Sequence, residues 1–436
     1  MGKLITRNRD MLVVPAWAWS MDNSIAPDGT VARNALHNRR YRRNFLLTGV
    51  GGAEGTHEAA DVVQQTVDGV DTRELWRAYQ QAVAAQNAER QPLISFLTRT
   101  VNQPFEGIPT GAARARFERA SERGVPRSYR AGGEMSWMAY DFAWRDLGFR
   151  FTWEFLADAT AEQVDTMANM ALEADNDLMF EEIMWTLFSN VNRPVDIEKR
   201  PYTVYSFYNG ADGVVPPRYK THEFTNTHTH YLVSGAAQVN PGDAANGVPG
   251  DLDDMIEHLN HHGYTASNNA DIVILVNKRE GDMMRNWRSV ANGGTARYDF
   301  IPAQNTPSFL LPINFRTPDG GQAVQPAPTL RGMKVIGAYG EATIVEEDHI
   351  PEGYMVGFAT GGPDAALNPI GIREHANPQL RGLRLVKGRD ADYPLQEAIY
   401  QRGFGTGIRY RGAGVVMQIK ASGSYAPPAE YALQPA

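Results

Sequence analysis

Between Thr160 and Asn190 apolar side chains recur at helical spacing. Val164, Ala168, Leu172, Met179, Ile183 and Leu187 form one stripe, flanked by Met167, Ala171 and Leu178. Thr160 followed by Gln163 makes a capping box at the start, and Ser189-Asn190 with Pro194 breaks the pattern. About 30 residues at 1.5 Å each predict a helix of roughly 45 Å. Its outer faces are expected to be acidic, carrying Glu162, Asp165, Glu173, Asp175, Asp177, Glu181 and Glu182, with no Lys or Arg from Phe151 to Asn192.

The pattern upstream is different. Residues 112–153 alternate large and polar side chains at both ends (Arg114, Arg116 and Phe117 going out; Phe149, Phe151 and Trp153, then Phe155, coming back), the period of extended chain. Gly124, Pro126, Gly132 and Gly133 supply turns between them, and no continuous apolar run could fill a core. A two-stranded ribbon is marginal alone in water, so this arm is expected to lie on a neighbouring subunit. Trp137, Tyr140, Phe142 and Trp144 are its expected anchors, since aromatic side chains carry much of the energy at interfaces. The same aromatics could stack on bases, but eight Arg beside five acids in this segment favour a protein interface.

Elsewhere the pattern predicts a mixture. Residues 1–70 read as an arm, and residues 71–90 as a helix capped by Asp71 with Glu74, its face formed by Leu75, Tyr79, Ala82, Val83 and Gln86. Residues 92–111 read as a linker, 202–210 as a strand entering a turn, 239–250 as a loop, 252–259 as a short helix and 303–328 as an exposed loop. The βα alternation of a doubly wound sheet is missing, so the expected class is α+β.

Composition changes the picture in three places. A chain of 436 residues can hold two or three cores. It has no cysteine, which removes disulfides, thiolate metal sites and cysteine nucleophiles together. The net charge of −8 is uneven: residues 1–43 carry eight basic and three acidic side chains. The cluster Arg39, Arg40, Arg42 and Arg43 is expected to meet an acidic surface of another subunit, with weak, non-specific nucleic-acid contact as the other use of such charge. MLVVPAWAW follows Lys3, Arg7 and Arg9 as a signal segment would, but Asp10 adjoins it, Pro15 interrupts it and no small-x-small site follows. Export is therefore not expected. No apolar run approaches the ~18 residues of a span, so no membrane partner is expected either.

Two constellations resemble chemistry. His228 and His230 form an HxH pair, and His258 and His262 are four residues apart, the spacing of one helix face if the helix runs on that far. Together they could converge on a zinc or nickel ion, as a metal-dependent hydrolase requires, with Glu223, Asp253 and Glu257 near in sequence. His262 precedes Gly263 at the helix end, however, and no further ligand or base motif follows, so these histidines are kept as an alternative metal set only. Gly49, Gly51, Gly52 and Gly55 imitate a dinucleotide loop, but Glu54 occupies the sixth position of the fingerprint. They read as a hinge. No catalytic residue and no cofactor are expected.

The order of these parts is informative. An N-terminal arm, a helix, an extended loop, a long spine helix and then a mixed domain resembles the tailed-bacteriophage major capsid proteins, whose Hong Kong phage-type fold is shared with encapsulins. DIVILVNKREGDMMRNW (271–287), VIGAYGEATIVEEDHIPEGYMVGFA (335–359) and GIRYRGAGVVMQI (407–419) resemble its later strand–helix, "IPEG" turn and closing strand segments. The resemblance implies an arm over 1–70, a helix and linker over 71–111, and an extended loop over 112–153. It further implies a peripheral domain with the spine helix over 154–232, an axial domain over 233–393, and a return to the peripheral domain with a tail over 394–436. It implies a non-enzymatic major capsid protein that assembles in the bacterial host cytoplasm, forms hexamers and pentamers with itself, and closes an icosahedral virion shell around double-stranded DNA. Scaffold, decoration and portal proteins are the partners such a shell meets. An encapsulin-like compartment holding protein cargo is the alternative within the fold.

Some members of that family join a lysine of the extended loop to a neighbouring asparagine through an isopeptide bond. Here no lysine occurs between Lys3 and Lys199, and disulfides are excluded by composition. Mature particles boiled in detergent are therefore expected to run as one band near the mass of a single chain. A ladder of covalent oligomers would refute this assignment of the loop.

Overall fold

The computed structural model of the chain describes residues 65–88, 92–109, 124, 135–303, 334–387 and 397–435. The elements open with helices α1 (Thr72–Ala88) and α2 (Pro92–Leu97), then strands β1 (Thr98–Val101), β2 (Phe105–Pro109), β3 (Met135–Ala139) and β4 (Ala143–Arg150). Helix α3 (Trp153–Asp158) precedes the long α4 (Ala161–Phe188) and the hairpin β5 (Arg193–Ile197) and β6 (Arg200–Val204). Next come β7 (Tyr231–Val233), α5 (Asp251–His261), β8 (Asp271–Val276), α6 (Lys278–Met284) and β9 (Phe300–Pro302). The chain closes with β10 (Lys334–Tyr339), β11 (Ala342–Glu346), β12 (Tyr354–Thr360), β13 (Ile370–Glu374), β14 (Leu383–Lys387), β15 (Glu397–Ile408) and β16 (Gly414–Gln418).

These elements divide between two units, each discontinuous in sequence. The first comprises Met1–Ala85, Asp146–Leu172 and Leu385–Gln401; the second comprises Gln86–Arg145, Glu173–Arg384 and Arg402–Ala436. Helix α4 begins in the first and ends in the second. In the first unit, Leu75, Trp76 and Tyr79 of α1 bury against Leu156 of α3, Phe151, and Val164 and Ala168 from the opening turns of α4. The side-chain caps of Asp71 and of the Thr160–Gln163 box form. Asp71 accepts from the Arg73 amide at 2.8 Å. Thr160 and Gln163 exchange side-chain-to-backbone bonds at 3.3 and 3.0 Å.

The second unit is built on a mixed seven-stranded sheet in the order β7-β16-β12-β8-β11-β10-β9. Its central strand, DIVILV, is buried on both faces. Val273 and Leu275 point to one side, where Met179, Phe180, Ile183, Met184, Leu187 and Phe188 of α4 meet them in a cluster with Val356, Phe358 and Val416. Ile272, Ile274 and Val276 point to the other, packed in a cluster with Leu252, Met255, Ile256 and Leu259 of α5. The alternation follows from the pleat, and a strand sandwiched between helices reads as an unbroken apolar run. Full burial of each such side chain contributes roughly 1.5–3 kcal/mol. Gly340, at φ 57°, makes the turn between β10 and β11 that an L side chain resists. In the same unit β1 pairs in parallel with β13, and β13 pairs antiparallel with β15, Ile370 opposite Ile408.

Several expectations need correction. The outgoing strand of the extended arm starts earlier than its sequence pattern suggests: β2 lies in the predicted linker and pairs antiparallel with β3, Phe105 opposite Ala139 and Gly107 opposite Trp137. The return strand β4 pairs with β15 instead of completing the ribbon. The tip between β2 and β3 lies outside the described residues, as do the four-arginine cluster, the glycine hinge and most of the loop expected at 303–328. Trp153 and Phe155, read with Phe149 and Phe151 as returning strand, belong to α3. Thr152 Oγ1 accepts the Phe155 amide at 3.2 Å and starts the helix there. Met167 is exposed, because the buried stripe runs through Val164, Ala168 and Ala171 beside it.

Two acids expected on the outside of α4 are buried. Asp175 is held by a bidentate pair with Arg402, at 2.5 and 2.7 Å. Glu182, wholly buried, pairs with Arg145 at 2.8 Å and faces the charge of Arg193. Burial pushes both carboxyls up, and the arginines oppose it. One turn along, the Thr186 and Thr406 hydroxyls bond at 2.6 Å. Removing one member of a buried pair leaves an uncompensated charge, whereas replacing both with apolar groups is often neutral. Arg145→Met is therefore expected to destabilise unassembled subunits by about 3–5 kcal/mol in chemical denaturation, and Arg145→Met/Glu182→Leu to recover most of that loss. Equal stability of wild type and single variant would show that the pair holds nothing.

Candidate functional site

The aromatic anchors named from sequence separate into two kinds. Tyr140 is entirely buried, and its hydroxyl donates to Glu106 at 3.1 Å. Its ring passes so close to Gly371 that an added Cβ there would sit 2.4 Å away. This corrects its assignment as an anchor for a neighbour: it belongs to the subunit's own core. Trp137 is 50% exposed and Trp144 44% exposed. Trp137 stands edge-on to Phe105 at 5.4 Å, and Phe105 is itself stacked on Tyr202 at 4.9 Å. The half-buried Phe142 meets Trp144 edge-on at 5.4 Å, with the Arg373 guanidinium over its other side at 5.1 Å. Phe105 thus braces Trp137, and Phe142 and His375 brace Trp144, while each exposed indole presents a large apolar face.

The histidines do converge, though not as four. The Nε2 atoms of His228, His230 and His262 form a triangle with sides of 3.2, 3.0 and 2.9 Å. His228 and His230 lie on the approach to β7. His230 is fixed there by backbone bonds from its amide to Tyr208 and to its carbonyl from Val416. His262 caps α5, its amide bonded to the Leu259 carbonyl at 3.1 Å. The Phe224 ring stacks on His262 at 4.3 Å and the Tyr208 ring at 5.6 Å. Burial holds all three imidazoles neutral at pH 7, His228 lowered to about 4, His262 to about 3 and the fully enclosed His230 well below the ordinary range.

His258 is not a member of the triangle. Its Nδ1 bonds the Asp254 carbonyl at 2.8 Å, and its ring lies alongside His228 at 5.5 Å. The carboxylates near in sequence are engaged elsewhere: Glu223 pairs with Arg218, Glu257 with His261, and Asp253 accepts the Gly250 amide. Among the described residues, no carboxylate joins the three histidines as a further ligand. Sequence spacing offered two pairs, and of the second only His262, 34 residues from His228, meets the HxH pair.

No protein-family model matches the chain, and no curated protein does. Among solved structures, one from Mycobacterium phage Patience is 39% identical, covering 87% of this chain and 98% of its own, with a TM-score of 0.62. The capsid of the empty GTA particle aligns over 75% of this chain and 88% of its own at 11% identity and a TM-score of 0.41. The holo-SrpI encapsulin complex from Synechococcus elongatus aligns over 79% and 97% at 10% identity and a TM-score of 0.38. Identity of 39% across nearly the whole of both chains makes this protein and the Patience protein members of one family, and the chain accordingly belongs to the tailed-bacteriophage major capsid proteins, with their Hong Kong phage-type α+β fold.

Proposed function

We propose that this capsid protein builds its shell as hexamers and pentamers around double-stranded DNA, after assembly in the host cytoplasm. Its role is structural and non-enzymatic. The β2–β3 ribbon and the Trp144 edge are its adhesive surfaces toward neighbouring subunits. Residues 154–232 serve as the peripheral domain, residues 233–393 as the axial domain, and 394–436 return to the peripheral domain. The arginine-rich arm, Arg39, Arg40, Arg42 and Arg43, ties capsomers together and makes weak contact with DNA. Scaffold, decoration and portal proteins are the partners in this scheme.

The observation that carries the reading is the pair of half-exposed tryptophans, each braced from behind. A bare indole face loses water-exposed apolar area on docking, and tryptophans are among the residues that dominate interface energies. Many moderate contacts of this kind sum to a closed shell. Trp137→Ala is expected to leave the melting of the unassembled subunit unchanged while raising the concentration needed for assembly, read by light scattering, at least about tenfold. Trp144→Ala should act in the same direction. Assembly of both variants at the wild-type concentration would remove these residues from the interface. Particles from the wild type should contain nucleic acid; protein cargo in its place would point to an encapsulin-like compartment.

A further inference from the structure

The histidine triangle has no part in the assembly reading, and as a purely hydrogen-bonded cluster it is frustrated. A neutral imidazole nitrogen is either a donor or an acceptor, never both. Three nitrogens that all lie within 3.2 Å of one another cannot alternate the two roles around a triangle. One side must therefore join two N–H groups or two lone pairs. The conflict sits against aromatic walls, with His230 fully enclosed, where water cannot relieve all of it.

We propose that His228, His230 and His262 bind one divalent transition-metal ion of the zinc, nickel or cobalt class within each subunit. A cation removes the frustration by taking all three lone pairs at once. The tautomer it needs is set at the most buried ligand: His230 Nδ1 donates to the Gly414 carbonyl at 2.7 Å, which turns its Nε2 lone pair toward the triangle. An ion ~2.0–2.1 Å from each nitrogen would stand about 1 Å out of their plane and subtend N–metal–N angles of about 95°. That lies between facial octahedral and tetrahedral geometry, and leaves at least one further coordination position for water. Imidazole donors suit zinc and nickel over the alkaline-earth ions. The Arg411 guanidinium, which lies over the Tyr208 ring, is paired with Asp212 at 2.5 Å. The ion would clamp the entry to β7 onto the end of α5.

Full-length protein is saturated with Zn²⁺, exchanged into metal-free buffer and analysed by elemental mass spectrometry. About one zinc per subunit is expected for the wild type and for His258→Gln, and about none for His228→Gln or His262→Gln. Because His262 also caps α5, circular dichroism checks that each variant is folded, and the partly exposed His228→Gln carries the test if His262→Gln is not. Zinc at 100-fold above its Kd should raise the melting temperature of the wild type by about 3 °C and leave that of His228→Gln unmoved. A folded wild type that retains no more zinc than His228→Gln would overturn the site. Loss of zinc in His258→Gln equal to that in His228→Gln would overturn the three-ligand assignment.

Discussion

The two-sided burial of β8 is the constraint on which the second unit depends. Its side chains alternate between a layer formed with α4 and a layer formed with α5, so neither helix can shift without exposing one face of the strand. A one-residue slip in its pairing with β11 or β12 would exchange every buried contact for one on the opposite face. That fixes the register Ala342 opposite Ile272 and Met355 opposite Val276. The start of β7 and the end of α5 are then held at fixed positions, which is how His228, His230 and His262 come to meet.

Helix α4 adds polar specificity to this apolar framework. Asp175 with Arg402, Glu182 with Arg145 and Thr186 with Thr406 lie along one face, each buried and each matched to a residue on β15 or β4. Such pairs contribute little net energy compared with apolar side chains of the same volume. They penalise wrong registers, however, because any sliding of the helix would strand a buried carboxylate. The apolar layer makes the helix stay, and the ion pairs select where it stays.

Sequence pattern revealed what is local. The Thr160–Gln163 box placed the start of α4 and Asp71 that of α1, while β8 at 271–276 was legible through the family resemblance. It missed what depends on distant partners. Asp175 and Glu182 look like solvated acids until Arg402 and Arg145 are brought to them. Tyr140 looks like an exposed anchor until Gly371 opens space for its ring. β2, containing Gly107 and ending at Pro109, carries weak strand propensity and is defined by pairing with β3, 26 or more residues away. Phe155 fits a strand period, yet the Thr152 cap draws it into a helix. Of the four histidines named from sequence, His228, His230 and His262 meet, and His258 does not.

The account rests on a division of labour: the doubly covered sheet folds each subunit, and the β2–β3 ribbon with its exposed indole waits for a neighbour. Hydrogen exchange on unassembled subunits and on finished shells tests this directly. Amides of β8, β12 and α4 should exchange slowly in both states, while those of Phe105–Pro109 and Met135–Ala139, paired with one another in the subunit, should gain further protection in the shell. Equal protection of the ribbon in both states would remove it from the interface, and protection of β8 that appears only on assembly would contradict the claim that the sheet folds each subunit.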